Sequence, residues 1–185
     1  MKTAATRDGY GAALLELGDR PEVVVLDAGV SDSTRTKKFG QAHPDRFFNM
    51  GIAEANMVCT AAGLATTGKI PFATSFACFL LGRTMDQVLV SVAYSGTNVK
   101  LVGTHAGVAV GEDGPTAQMI VDLAYTRAMP NLAVIQPADW EEARQATHYL
   151  ADHKGAAYLR LGRSNVAGVY DASHKFQFGK GHVLE

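Results

Sequence analysis

The sequence predicts an α/β fold with three layers, in which a mainly parallel sheet of five or six strands lies between helices. Short β-branched segments recur along the chain, each bounded by turn residues, and segments of helical length separate them. This alternation is typical of a parallel sheet that is buried on both faces. The chain has 185 residues, of which 47% are hydrophobic and 19% charged, so it can bury such a core.

Five segments have the composition of buried strands. They span residues 23–29, 70–75, 99–105, 132–139 and 156–162. A sixth segment, residues 47–51, is short enough to be either a strand or a loop. No linker, repeat or low-complexity tract divides the chain, so we expect residues 1–185 to form one domain. Residues 174–185 resemble the beginning of a connection, and we expect a further C-terminal domain, absent from this chain, to follow them.

Start and stop signals place three helices. Thr6 is a candidate N-cap for the first helix, and Asp139 followed by Glu142 forms a capping-box pattern before another. Residues 53–67 are apolar or small on nearly all sides and are followed by Gly68, which predicts a central helix buried on most of its faces.

The charge pattern and the cysteines exclude several classes of protein. The net charge is -1, the pI is about 6.6 and no run of Lys or Arg occurs, which argues against nucleic acid and anionic membranes as partners. No signal peptide and no membrane-spanning segment is recognisable, so we expect a cytoplasmic protein. Cys59 and Cys78 lie in apolar surroundings, which favours buried reduced thiols over a disulfide or a metal site.

Glu54 is the first candidate for chemistry, because it lies in the first turn of the apolar helix. A carboxylate there can simply face water and benefit from the helix dipole. Alternatively it is desolvated, has a raised pKa and exchanges a proton with a ligand.

Two aromatic residues form the second candidate. Phe76 and Phe79 follow Thr74 and Ser75, which can cap a new helix, and at this spacing their rings share one face. They can form the floor of a flat pocket, or they can pack in the core.

The third candidate is the glycine-rich segment 103–116, which follows a strand and brings His105, Glu112 and Asp113 to the carboxyl edge of the sheet. It has neither the Gly-Lys-Ser/Thr of a P-loop nor the ligand spacing of a metal site. Arg163 follows the last strand and can meet an anion at the same edge, although it can equally be a surface arginine.

Five strings of residues, taken in order, resemble the pyrimidine domain of the transketolases, which depend on thiamine diphosphate. They are NMGIAEANMV (49–58), IPFATSFACFLLGRTMDQ (70–87), VGTHAGVAVGEDGPTAQ (102–118), PNLAVIQPAD (130–139) and LRLGRSN (159–165). The resemblance covers nearly the whole chain. It implies the thiamine-diphosphate-binding fold and transfer of a two-carbon ketol unit from a ketose phosphate to an aldose phosphate.

The resemblance also implies roles for the candidate residues. Glu54 is the catalytic carboxyl group that contacts a ring nitrogen of the aminopyrimidine, and Phe76 and Phe79 pack against that ring. His105, which also takes part in catalysis, and Asp113 contact the hydroxyl groups of the sugar substrate. The substrate phosphate is then contacted by three further side chains, namely Arg163, Arg7 and Ser33.

Some features depart from the family pattern. Ala117 stands where a second histidine is usual, and Gly29 where an aspartate is common. The chain also lacks the GDG motif and downstream Asn that hold Mg2+ against the diphosphate, so we expect a partner subunit or domain to supply them, in a homo- or hetero-oligomer with a large apolar interface. The alternatives are a non-catalytic interaction subunit, a deoxyxylulose-phosphate synthase or a β subunit of a 2-oxoacid dehydrogenase.

Overall fold

The computed structural model describes residues 3–180 and 183. Six strands form its central sheet: β1 (Val23–Asp27), β2 (Phe47–Asn49), β3 (Ile70–Phe76), β4 (Lys100–Thr104), β5 (Leu132–Ile135) and β6 (Ala156–Arg160). Their order is β2-β1-β3-β4-β6-β5, and every neighbouring pair is parallel. The predicted fold class is confirmed, and the segment left open between strand and loop is the edge strand β2.

Helices cover both faces of the sheet. They are α1 (Thr6–Glu16), α2 (Ser31–Thr34), α3 (Lys37–Ala42), α4 (Glu54–Thr66), α5 (Ala77–Gly82), α6 (Met85–Gln87), α7 (Asp122–Ala128) and α8 (Trp140–Asp152). A π-helix, Val88–Tyr94, continues α6. No helix in residues 3–180 combines the length and the apolar surface that crossing a membrane requires.

The alternation of side chains along β1 divides the core into two layers. Val24 and Leu26 pack with residues of α4, α5 and the π-helix, whereas Val23 and Val25 pack with residues of α1 and α8. Successive side chains of a strand point to opposite faces of the sheet, so a continuous apolar run such as residues 23–26 is buried only when both faces are covered. The VVVL sequence therefore requires the three-layer arrangement.

Two predicted helix starts have different outcomes. Asp139 is the N-cap of α8, because its Oδ1 accepts a hydrogen bond from the backbone N–H of Glu142 at 2.9 Å. The Glu142 carboxylate accepts from the N–H of Ala138 instead of the cap residue. The prediction for Thr6 was wrong: Thr6 is the first residue inside α1, and its hydroxyl accepts from the N–H of Gly162.

The burial predicted for the central helix and its cysteine was also wrong in part. Glu54, Met57 and Val58 in α4 are buried, but the opposite side, which includes Asn56 and Cys59, is exposed. Cys59 is a free, exposed thiol, and Cys78 is half-buried. Small apolar residues predict burial by their composition, but composition does not distinguish the core of one chain from a surface that a second chain can cover.

The strand order creates a crevice at the carboxyl edge of the sheet. The chain passes from β1 to β2 in one direction and from β3 to β4 in the other, so the loops that follow β1 and β3 diverge. Open parallel sheets bind ligands at such a switch point. The loop 28–36, the start of α4 and the start of α5 all lie around it.

We predict that Gly9→Ala lowers the free energy of unfolding by about 2–3 kcal/mol, because an added Cβ would lie 2.2 Å from the carbonyl oxygen of Trp140 where α1 crosses α8. In Gly63→Ala of α4 the added Cβ meets no atom within 4 Å, so this substitution should raise the free energy of unfolding by about 0.5–1 kcal/mol. Urea unfolding followed by circular dichroism measures both. Shifts of the same sign and size would contradict the close packing of α1 on α8.

Candidate active site

Glu54 is the first residue of α4, which begins at the carboxyl edge of the sheet just after β2. It is 4% exposed, which excludes the alternative that it faces bulk water. Both of its carboxylate oxygens accept hydrogen bonds from Nη1 of Arg83, each at 3.1 Å. A buried carboxylate needs such a partner, because desolvation of an unpaired charge is costly.

Arg83 also contacts one of the two predicted aromatic residues. Its guanidinium carbon lies 4.4 Å from the centroid of the Phe79 ring, within the range of a cation–π interaction. The Arg83 side chain is 49% exposed, so it covers the carboxylate and the ring from the solvent side. The same guanidinium therefore bridges Glu54 and Phe79.

Phe76 and Phe79 share one face, as their spacing predicts. Their rings are stacked with centroids 5.5 Å apart and an angle of 14° between planes. The ring of His105 stacks on Phe76 at a centroid distance of 3.7 Å, which extends the layer to three flat rings. The prediction that Thr74 and Ser75 cap the following helix was wrong, since α5 has no side-chain cap and the Thr74 hydroxyl bonds to Tyr10.

His105 is held as a neutral ring. Burial, with a smaller contribution from the charge of Arg7, lowers the pKa of His105 to about 4. Nη1 of Arg7 lies 3.2 Å from Nε2 of the ring, and because a guanidinium can only donate, Nε2 accepts and Nδ1 carries the proton. Nδ1 then donates to the hydroxyl of Thr104 at 2.9 Å.

The predicted phosphate contacts also meet at this edge. Nη1 of Arg7 donates to the carbonyl oxygen of Ser33 at 2.9 Å, so this link uses the serine backbone and not its hydroxyl. Burial and the charge of the nearby Arg35 lower the pKa of Arg7, and its buried Nε has no hydrogen-bond partner within residues 3–180. Arg163 pairs with Glu112 across the glycine-rich segment.

The remaining predicted positions differ in how close they lie to this cluster. Asp113 is exposed, and its charge raises the pKa of Arg7 against the larger effect of burial. Ala117 is 5% exposed and lies in a short 3-10 turn. Gly29 adopts a positive φ of 83°, which favours glycine at this turn. Within residues 3–180, no group of three or more His, Cys, Asp or Glu side chains is arranged to hold a metal ion.

Sequence reasoning missed Asp27, which organises the loop after β1. Asp27 is fully buried, and burial raises its pKa although several hydrogen bonds act in the opposite direction. Its Oδ2 accepts from the hydroxyls of Thr34 at 2.6 Å and Thr36 at 2.9 Å, and Oδ1 accepts from the N–H of Val30 at 2.7 Å. An acidic residue at the end of an otherwise apolar strand is the signal that could have identified it.

We predict an energetic coupling between Glu54 and Arg83 of about 1–2 kcal/mol in the free energy of unfolding. Arg83→Ala leaves a buried carboxylate without its donor, whereas the same change in a Glu54→Gln background leaves an amide that carries no charge. Urea unfolding of the two single variants and the double variant measures the coupling. The exposed pair Lys37 and Asp32 is the control and should couple by less than about 0.5 kcal/mol. Equal coupling in the two cycles would contradict the buried pairing.

We predict that His105 remains neutral in the folded chain until the pH approaches about 4. In the unfolded chain a histidine binds its proton at about pH 6.5, so the free energy of unfolding should fall as the pH drops from about 6.5 to 4, at up to about 1.4 kcal/mol per pH unit from this group. Ring carbon shifts in NMR measure the titration. Arg7→Met should raise the pKa of His105, and a midpoint near 6.5 in the unaltered chain would contradict the prediction.

Comparison with known proteins identifies the family. The family described as transketolase, pyrimidine binding domain, matches residues 2–168. A transketolase C-terminal section from Methanocaldococcus jannaschii is 48% identical over 181 residues, which are 96% of this chain and 57% of that protein. Human transketolase is 38% identical over 97% of this chain and 29% of its own length.

A solved structure, described as a split gene transketolase, inactive beta4 tetramer, superimposes with a TM-score of 0.87. The two sequences are 47% identical, and the match covers 98% of this chain and 59% of the solved chain. The chain therefore spans little more than half the length of these two relatives, and less than a third of human transketolase. The match over residues 2–168 and the shared fold together show that this chain belongs to the family of transketolase pyrimidine-binding domains.

Proposed function

We propose that this chain is the pyrimidine-binding half of a thiamine-diphosphate-dependent transketolase that acts in the cytoplasm. In this proposal it transfers a two-carbon ketol unit from a ketose phosphate to an aldose phosphate, and a partner chain supplies the diphosphate and magnesium site. The observation that carries the proposal is the buried Glu54 carboxylate beside the ring of Phe79, at the switch point of the sheet.

The residues at this point fit the aminopyrimidine. Such a ring is flat and carries nitrogen atoms at its edge, and the half-buried ring of Phe79 provides a flat apolar surface next to a carboxylate. In this structure the flat guanidinium of Arg83 contacts both groups: it donates a hydrogen bond to the Glu54 carboxylate and lies over the Phe79 ring. We infer that Glu54 exchanges one contact with Arg83 for a contact to the pyrimidine ring nitrogen, where it holds or moves a proton.

When bound, thiamine diphosphate supplies the carbon centre at which carbon–carbon bonds are broken and formed. The residues of this chain would bind and orient the substrate around it. Nε2 of neutral His105 can accept a hydrogen bond from a sugar hydroxyl when it gives up its contact with Arg7, with Asp113 as a second polar contact. Arg7 and Arg163, with Ser33, would hold the phosphate.

Dependence on a partner has two supports. The related solved structure is described as an inactive tetramer of beta chains, which agrees with a requirement for another kind of subunit. In addition, an exposed apolar surface consists of Ile52 (83% exposed), two residues before Glu54, and of Val90 (50%) and Tyr94 (82%) on the π-helix, which packs against α4. Surfaces of this kind are typical of protein–protein contacts, so we propose that a subunit of the oligomer covers it.

A non-catalytic interaction subunit is the second candidate. The buried methyl group of Ala117 favours it, since it provides no hydrogen bond where a second histidine is usual in the family. A deoxyxylulose-phosphate synthase and a 2-oxoacid dehydrogenase β subunit share the fold and the carboxylate, but they differ in the product they release.

We predict that this chain, mixed with a diphosphate-binding transketolase subunit, Mg2+ and thiamine diphosphate, transfers a two-carbon unit from a ketose phosphate to an aldose phosphate. Glu54→Gln should lower kcat by at least about 100-fold, because proton transfer at the pyrimidine ring is lost. Chromatographic detection of both sugar products measures the transfer and separates it from synthase or dehydrogenase products.

The control is Asp152→Asn, whose carboxylate is exposed and pairs with Arg20 just before β1, at the opposite edge of the sheet. Light scattering of the mixture shows whether a complex has formed. A stable complex without transfer would favour the non-catalytic subunit, and full activity of Glu54→Gln would contradict the assigned role of Glu54.

A further inference from the structure

Arg35 has an unusual backbone conformation that nothing in the proposed function requires. Its φ is +70° and its ψ is 15°, in the left-handed region, where a residue other than glycine is disfavoured by about 1–2 kcal/mol. Thr34 and Thr36, on either side of it, are both bonded to the buried carboxylate of Asp27. These contacts hold Arg35 in place, and conformations maintained in this way are concentrated at functional sites.

Helix α1 is also shaped to accept Arg35. A Cβ added to Gly11 would lie 2.6 Å from Cβ of Arg35 and 3.0 Å from its carbonyl oxygen. Only glycine allows the loop to approach the helix so closely. The arginine is therefore fixed from two sides, by Asp27 through the threonines and by Gly11 of α1.

Arg35 and Arg7 both lie where the loop after β1 meets the start of α1, close enough for the charge of Arg35 to lower the pKa of Arg7. Two contacts join the start of α1 to the same loop: Arg7 donates to the carbonyl oxygen of Ser33, and Nε of Arg35 donates to Oδ1 of Asp8 at 2.6 Å. Nη1 of Arg35 donates to the carbonyl oxygen of Asp32, while Nη2 has no hydrogen bond to any residue in 3–180. The side chain is 43% exposed, so a ligand can reach it.

One guanidinium of this cluster has no ion pair. Arg7, Arg35 and Arg163 are close enough for Arg35 and Arg163 to lower the pKa of Arg7. Within residues 3–180, Asp8 pairs with Arg35 and Glu112 pairs with Arg163, whereas Arg7 forms no ion pair. The neighbouring His105 is uncharged. A guanidinium without an ion pair, close to two others and with unused N–H groups, is suited to bind an anion that carries two charges.

We propose that Arg35 is a third guanidinium ligand for the phosphate group of the substrate, and that it exchanges its contact with Asp8 for this phosphate. The proposal rests on the proposed function and names a residue that sets its preference for phosphorylated sugars. Asp8 then acts as a competitor, because it holds the Nε donor of Arg35 while the anion is absent.

The test is a titration of the isolated chain, followed by NMR of arginine Nε–H groups at constant ionic strength. The three ligands are inorganic phosphate, ribose 5-phosphate and ribose. We expect Arg35→Asn, which tolerates the left-handed backbone, to weaken ribose 5-phosphate binding by about tenfold. Arg35→Gly, which also fits that backbone, should give the same loss if the asparagine variant does not fold.

Lys37→Asn is the matched control, since it removes the same charge from a neighbouring position. Lys37 and Arg35 both line an open cavity of about 630 Å³ between α1 and α3, so this control also reports binding in the cavity. It should change the affinity by less than about twofold, because its exposed pair with Asp32 is screened. Equal losses for Arg35→Asn and Lys37→Asn would overturn the proposal.

Asp8→Asn tests the exchange itself. It should tighten ribose 5-phosphate binding several-fold in the unaltered chain and have no such effect beside Arg35→Asn. Tightening in both backgrounds would overturn the exchange. Absence of saturable binding to the unaltered chain, or equal affinity for inorganic phosphate and ribose 5-phosphate, would overturn the assignment to the substrate. The titration uses no cofactor or partner, so its result stands whether or not two-carbon transfer is detected.

Discussion

The parallel pairing of β1, β3 and β4 is the constraint on which the candidate site depends. Because these strands run in the same direction, their carboxyl ends lie at one edge, and Asp27, Phe76 and Thr104 end them there. The chain turns to opposite sides after β1 and β3, which leaves room between the loops. Groups that are far apart in sequence, such as Arg7 and His105, can then share a hydrogen bond.

The buried acidic groups of this chain are compensated by different hydrogen-bond donors. Four acidic groups in residues 3–180 are buried, and their donors differ: Asp27 has hydroxyl and backbone donors, Glu54 has Arg83, Asp122 has the hydroxyl of Tyr158 and Nε of Arg160, and Asp139 has backbone N–H groups. Such groups are retained at a cost in desolvation, so each needs its donors in place. The two charged partners differ in exposure: Arg83 is 49% exposed and Arg160 is 16% exposed, so a ligand can displace Arg83 more easily.

The crevice lies beside an exposed apolar surface, and this arrangement connects the fold with the oligomer in the proposed function. The helix that begins at Glu54 has one side in the core and the other side exposed, next to the π-helix that carries Val90 and Tyr94. A chain that covered this surface would also lie close to Glu54. Assembly and formation of the site would then be linked, because the same helix takes part in both.

The sequence by itself determined the fold class, the positions of five of the six strands and several members of the candidate site. Apolar runs with turn residues at their ends require a sheet covered on both faces, and the spacing of Phe76 and Phe79 places their rings together because it is a local property. The α8 cap at Asp139 was predictable for the same reason. The roles of Glu54, Arg7 and Arg163 came from resemblance and not from periodicity.

The tertiary structure decided what depends on contacts between distant segments. The pairing of Glu54 with Arg83, the network of Asp27, the neutral state of His105 and the exposure of Cys59 each involve burial that no local pattern reports. Sequence patterns predict which side chains avoid water. The packing of the helices and strands then decides which polar groups are buried together and which apolar groups remain exposed for another chain.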